Sequence, residues 1–145
     1  MSMLLSSWQF WAILSACFAA LTAVFAKVGV EAIDSDLATF IRTIVVVAAL
    51  ACILVGTGKW RPAQAISGRT MLFLVLSGLA TGASWLCYFR ALQMGDVARV
   101  SPIDKLSVVL VALVGVAFLG ERLSAANWTG VLLIGAGALL VAWRG

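Results

Sequence analysis

Five apolar runs, each close to twenty residues long, fix what this 145-residue chain can become. A helix that crosses the hydrocarbon core of a bilayer needs about 20 mostly apolar residues, so five of them use about 100 and leave about 45 for ends and connections. The spans are expected at about Trp8 to Val30, Leu37 to Gly56, Thr70 to Leu92, Val100 to Gly120 and Ala126 to Trp143. Lipid offers no hydrogen bonds to a loose backbone, so each run is read as an α-helix. The short alternating segments of a transmembrane β-barrel do not occur in the sequence. The expected fold class is an all-α integral membrane protein: a bundle of five transmembrane helices forming one domain over residues 1–145.

Composition bears on function at this point. Hydrophobic residues make up 63% of the chain and charged residues 11%, where a soluble domain carries about 25% charged. There is no histidine for a proton relay or a metal site, and no nucleophile stands paired with a base. The chain is therefore not read as an enzyme, and no cofactor is expected. The net charge of +4 comes from basic residues that mostly flank apolar runs. Lipid headgroups are thus the expected acidic neighbours, not nucleic acid. Cys17, Cys52 and Cys87 form no CxxC pair and lie in three different apolar runs, so they are read as buried thiols. The first run has no basic residue before it and outlasts the apolar region of a secretory signal, so it is read as a retained span.

Short connections force consecutive helices to run antiparallel. One face then holds the N-terminus, the stretch from Thr57 to Arg69 and the turn from Gly120 to Ala125. Its loop charges are Lys59, Arg61, Arg69 and Arg122, against Arg99 and Arg144 on the opposite face. The positive-inside rule puts the first face in the cytosol. The bias is thin, because Lys27, Arg42, Arg90 and Lys105 lie in span ends on the opposite face, and a thin bias is compatible with insertion in both orientations. Trp8, Trp11, Trp60 and Trp128 gather at the first face and Trp143 at the other, as interfacial anchors do.

The span charges all fall toward the second face. An ionisable group at the centre of a span costs about 2.5 to 3.5 kcal/mol on insertion scales, which marks such residues as functional candidates. Lys27 lies near the end of span one, Arg42 near the start of span two, Arg90 near the end of span three, and Asp104 with Lys105 near the start of span four. In an up-and-down bundle these ends form a polar mouth.

At about 100° per residue, Gln9, Ala12, Ala16, Ala20, Ala23 and Lys27 share one stripe of span one. Ala38, Arg42, Ala49 and Gly56 share one on span two, and Ser101, Asp104, Lys105, Val108, Ala112 and Gly115 one on span four. Span three aligns Gly78, Thr81, Gly82 and Trp85, with Tyr88 and Phe89 at its margins and Arg90 about a third of a turn away. Small-residue stripes pack helices as readily as they line a cavity. For Lys27 and Arg90, near the interface, snorkelling is the alternative to a functional role, with Glu31 available to Lys27 as a surface partner at i+4. Arg42, Asp104 and Lys105 lie more than a turn deep, where a functional role is favoured. Pro102 falls in the first turn of span four, so no kink is expected there.

These residues carry a resemblance. The run YFRALQMGDVARVSPIDKL from Tyr88 to Leu106, the turn FLGERLS from Phe118 to Ser124 and the glycine-rich last span together resemble the EamA domain of the drug/metabolite transporter superfamily. The match covers essentially the whole chain. The resemblance implies one half of an inverted-repeat transporter, since most relatives carry two such domains. Two copies of opposite orientation would rebuild the arrangement on which alternating access rests.

The small four-helix multidrug exporters of the same superfamily resemble this chain in size but use an acid in helix one. Here span one offers Lys27, which disfavours cationic drugs and suits an anionic or zwitterionic solute. The resemblance therefore implies an inner-membrane transporter of a small polar metabolite such as an amino acid, working as a homodimer. Arg42, Lys105 and Lys27 would attract the solute and Asp104 would orient the lysines or take a proton. Trp85 and Tyr88 would shape the cavity, with Arg90 and Ser101 beside it. Two alternatives stay open: a non-transporting membrane subunit or assembly factor, and a subunit of a lipid-linked sugar flippase.

Overall fold

The computed structural model describes residues 7–60 and 66–143; Arg61 and Arg144 of the loop-charge comparison lie outside them. The helices are α1 (Trp8–Gly29), α2 (Ser35–Gly56), α3 (Gly68–Met94), α4 (Val97–Asp104), α5 (Ser107–Phe118) and α6 (Ala125–Ala142). Because α4 and α5 form one span, Val97–Phe118, five helical segments are long and apolar enough to cross a bilayer. The five-helix expectation holds, and there is no strand among the described residues.

Capping side chains explain where the helices begin. Ser7 Oγ accepts from the Phe10 N–H, Asp34 Oδ1 from the Asp36 and Leu37 N–H groups, Ser67 Oγ from Thr70 and Ser124 Oγ from Asn127. Each satisfies backbone donors that the first helical turn leaves without partners. Hydropathy registers lipid contact, whereas the cap registers the hydrogen bond. Helices α2 and α3 accordingly start two residues earlier than the apolar runs do.

The chain divides into two compact units, one of residues 26–93 and one of the residues up to Phe25 together with those from Met94 onward. In the second of these, α4 and α5 both pack on α6. Gly135 permits the close approach, since a Cβ added there would stand 3.1 Å from Val109 Cγ2. Ala138, almost one turn along, is also buried.

The expectation of an unkinked span four is corrected. The helix begins at Val97, which puts Pro102 at its sixth position instead of its first turn. Proline cannot donate to the carbonyl four residues back and its ring crowds that carbonyl. Just beyond it the ladder tightens to i→i−3 bonds: Lys105 to Pro102, Leu106 to Ile103, Val108 to Lys105 and Val109 to Leu106. The span is broken into two helices by this 3₁₀ step.

The FLGERLS turn is built on Gly120, whose φ is +69°. That left-handed backbone lets the N–H groups of Leu119 and Glu121 share the Gly115 carbonyl at 3.1 Å each. An L-residue in this conformation is strained by about 1–2 kcal/mol. Gly120→Ala should therefore lower unfolding stability in detergent by that amount, read as a reduced midpoint of thermal denaturation against the parent protein.

The three cysteines are a second correction. Cys17, Cys52 and Cys87 are exposed on the helix surfaces of the chain. An apolar run does not distinguish a lipid-facing position from an interior one, because lipid tails are as apolar as leucine. Large side chains such as Phe18, Phe25, Leu79 and Leu132 are exposed in the same way. Gly78, Gly82, Gly130 and Gly137 also face open space among the described residues, so none of them makes a close helix contact inside the chain.

Candidate functional site

Among the described residues, Arg42 is the deep span charge that the fold places against aromatic rings. It stands seven residues into α2, half-buried. Its guanidinium carbon lies 4.0 Å from the centroid of the Trp85 ring and 5.3 Å from that of Phe89. Trp85 and Phe89 are four apart on α3 and therefore share a face. Phe89 is only 3% exposed, and its ring meets that of Tyr88 edge-on with centroids 6.5 Å apart.

The stripe read from the sequence is the packed face of α3, but only from Gly82 toward the C-terminal end of the helix. The inward line of α3 runs through Trp85, Phe89 and Leu92, while Gly78 and Thr81 lie on exposed positions. Helix α2 turns Ala38, Thr39, Arg42, Thr43 and Val46 to the less exposed side, whereas Ala49 and Gly56 are exposed.

A cation over an aromatic face gains about 0.5–1 kcal/mol when exposed and about 2 or more when desolvated. Two rings thereby offset much of the roughly 2.5–3.5 kcal/mol that an arginine costs at the centre of a span. They do nothing for its five N–H donors. The nearby hydroxyls of Thr39 and Thr43 donate back along α2, to Ser35 O at 2.8 Å and Thr39 O at 2.7 Å. Among the described residues no carboxylate or carbonyl accepts from Arg42. The planar guanidinium fork matches a carboxylate or phosphate in bidentate fashion.

The same unit holds Lys27. Its ammonium donates to the Leu92 carbonyl at 2.8 Å, joining the last turn of α1 to the last turn of α3. The Gln93 side-chain amide donates in the other direction, to Val30 O at 3.2 Å and Ile33 O at 3.0 Å.

Asp104 and Lys105 lie in the other unit, at the break between α4 and α5. They pair with each other at 3.0 Å, both with substantial exposure. Such a pair is worth about 0–1 kcal/mol, so its members exchange readily for other partners. Ser101 is half-buried one turn earlier, and Arg90 is exposed on α3 away from the Trp85–Phe89 face.

Sequence reading did not single out Phe89 or Gln93 for the site. The signal for Phe89 was its i+4 relation to Trp85. The signal for Gln93 was an amide in the last helical turn, where backbone carbonyls lack partners.

Five helical segments long and apolar enough to cross a bilayer define a multi-pass membrane protein. Residues 6–143 match the EamA-like transporter family, and the chain belongs to that family. It is 66% identical over 136 residues to an uncharacterized transporter in the cobO 3′ region of Sinorhizobium sp, covering 94% of this chain and 96% of that protein. It is 31% identical over 75 residues to the probable 4-amino-4-deoxy-L-arabinose-phosphoundecaprenol flippase subunit ArnE of Yersinia pestis, covering 52% of this chain and 66% of that protein. No solved structure matches the chain.

Proposed function

We propose that this transporter-family protein moves a small anionic or zwitterionic metabolite, such as an amino acid, across the inner membrane by alternating access, as a homodimer. The observation that carries the reading is Arg42, a cation within a span that rests on Trp85 and Phe89 and has no acidic partner among the described residues. A cation within a span and without an acidic partner among the described residues suits an anionic group on the solute. Lys105, only weakly tied to Asp104, is a second point of attraction. Asp104 is then free to orient that lysine or to accept a proton. Lys27, Tyr88, Arg90 and Ser101 complete the set of residues assigned to the path.

The homodimer is part of the same proposal. One EamA-type domain supplies five spans, and a second copy in the opposite orientation supplies the inverted half. The glycines of α3 and α6 that face open space inside the chain suit a contact between copies.

The test is flux into vesicles that contain only this purified polypeptide, with labelled amino acids and small carboxylates as probes. Uptake of at least one anionic or zwitterionic probe well above protein-free vesicles is expected, together with no uptake of cationic drugs. In the same vesicles, a cysteine placed in the loop at Lys59 should react with impermeant reagent from both sides. A second reading, a subunit of a lipid-linked sugar flippase, is favoured by the similarity to the flippase subunit of Yersinia pestis. It is supported instead if no soluble probe moves and flux of a lipid-linked sugar appears only when another polypeptide is added.

A further inference from the structure

Helix α2 has one acidic end and one basic end. The turn that leads into it carries Glu31, Asp34 and Asp36 and no basic residue, whereas the connection that leaves it carries Lys59, Arg61 and Arg69 and no acid. The helix between them has 22 residues, about 33 Å at 1.5 Å each, so its two ends reach opposite surfaces of a bilayer. Glu31, Asp34, Asp36, Lys59 and Arg69 are exposed, and none of them joins an ion pair among the described residues.

Packing is as lopsided as the charge. The buried residues of the unit 26–93 all fall within 26–39 and 89–92. These lie at the acidic end, where the Gln93 amide donates to the Val30 and Ile33 carbonyls. At the basic end residues 66–81 are exposed throughout, and among residues 47–60 only Ala51 is partly covered. Gly56, Gly68 and Gly78 belong to this open half, with nothing within 4 Å of where a Cβ would stand. Lipid covers apolar surface as well as another helix does, but small residues let a second helix approach closely. Charge then selects which helix. A parallel copy sets acidic turn beside acidic turn and basic connection beside basic connection, whereas an inverted copy sets each beside its complement. The match is self-complementary about a twofold axis in the membrane plane, because each copy offers the other both halves of the pairing.

We infer that the open half of α2 and α3 is the docking surface for a second, inverted copy of this chain, with the acidic turn at 31–36 of each copy set against the basic connection at 59–69 of the other. The inference rests on the homodimer of the transport reading and gives that dimer its orientation and its interface. Its test measures proximity and no flux, so either can fail without the other. In protein with Cys17, Cys52 and Cys87 replaced by alanine, two differently tagged copies are co-expressed, one with Ile33→Cys and the other with Trp60→Cys, and membranes are treated with a short bismaleimide. A product containing both tags is expected, severalfold above that from two Ile33→Cys copies or two Trp60→Cys copies, whose thiols the inverted arrangement holds on opposite sides of the bilayer. Glu31→Gln combined with Asp36→Asn should lower the mixed yield severalfold. Asp34 is kept because it caps α2, and acids contribute little to membrane orientation, so this variant inserts as the parent does. Raising the salt concentration should lower the parent's mixed yield in the same direction, which checks the charge pairing without any variant. Cross-links in the two like pairs and none in the mixed pair would show a parallel dimer and overturn the inference. So would the absence of any cross-link between copies, which leaves the surface to lipid, or a product joining one copy to a different polypeptide. A mixed yield unchanged by salt and by neutralising the two acids would also overturn it, since charge is what selects the inverted copy.

Discussion

Replacing Arg42 by glutamine should reduce flux by about a hundredfold while leaving the protein inserted in the membrane at parental levels. Hydrogen bonds to a charged group are worth about 1.5–3 kcal/mol each, and each 1.4 kcal/mol is tenfold in affinity. Loss of a bidentate contact to a solute anion therefore accounts for two orders of magnitude. Insertion should not suffer, because removing the charge also removes the roughly 2.5–3.5 kcal/mol cost of an arginine deep in a span. Arg42→Lys should fall between the two proteins. Lysine keeps the charge but loses both the planar fork and the stacking on the Trp85 ring, which lies 4.0 Å from the guanidinium carbon. The measurement is initial uptake in vesicles matched for protein content, using whichever probe the parent carries. Parental uptake by Arg42→Gln would take Arg42 out of the site.

Much of the fold could be read from the sequence, because the bilayer imposes it. Twenty apolar residues between polar turns admit one spanning structure, the helix, and five such runs appear as five helical spans. Helix phase was harder to read. In water, burial pulls apolar residues inward and leaves polar ones outside, so periodicity reveals the core face. In lipid both sides of a helix are apolar, and Cys17, Cys52 and Cys87, read as buried, are exposed. The small-residue stripe of α1 shows the same limit: Ala23 is buried, while Ala12, Ala16 and Ala20 are exposed.

Charges escaped that ambiguity, since a charge within a span has a cost that must be met somewhere. Arg42 stood out for this reason, and it meets Trp85, a member of the stripe read on span three. Lys27 was legible as a charge but not as a tie between the ends of α1 and α3. Its partner there is a backbone carbonyl, and every residue has one. Glu31, the carboxylate four residues on, offered a simpler pairing by sequence, yet the ammonium also reaches across to α3. The break in span four is hidden in the sequence because the helix begins at Val97, three residues before the apolar run does. With Val97 as the first residue, Pro102 falls where the helix cannot tolerate it unchanged.

Phe89→Ala should destabilise the protein more than loss of any other single ring in the chain. Phe89 is 3% exposed, and deletion of a buried phenylalanine ring costs about 3–5 kcal/mol in soluble cores. Part of that figure is transfer from water, which lipid does not supply; the cavity and lost contacts remain, so about 3 kcal/mol is expected here. Phe18→Ala is the matched control, because Phe18 is 60% exposed and a surface change of this kind stays within about 0.5 kcal/mol. Unfolding in mixed detergent, followed by circular dichroism, measures both. Phe89→Leu separates packing from electrostatics: it keeps most of the volume, so stability should change by less than about 1.5 kcal/mol. The ring quadrupole over which Arg42 lies is nevertheless gone. If the second ring helps hold the guanidinium in place, Phe89→Leu lowers uptake severalfold at near-parental stability. If uptake tracks stability alone across the three variants, Phe89 is only a packing residue and Trp85 holds the cation by itself.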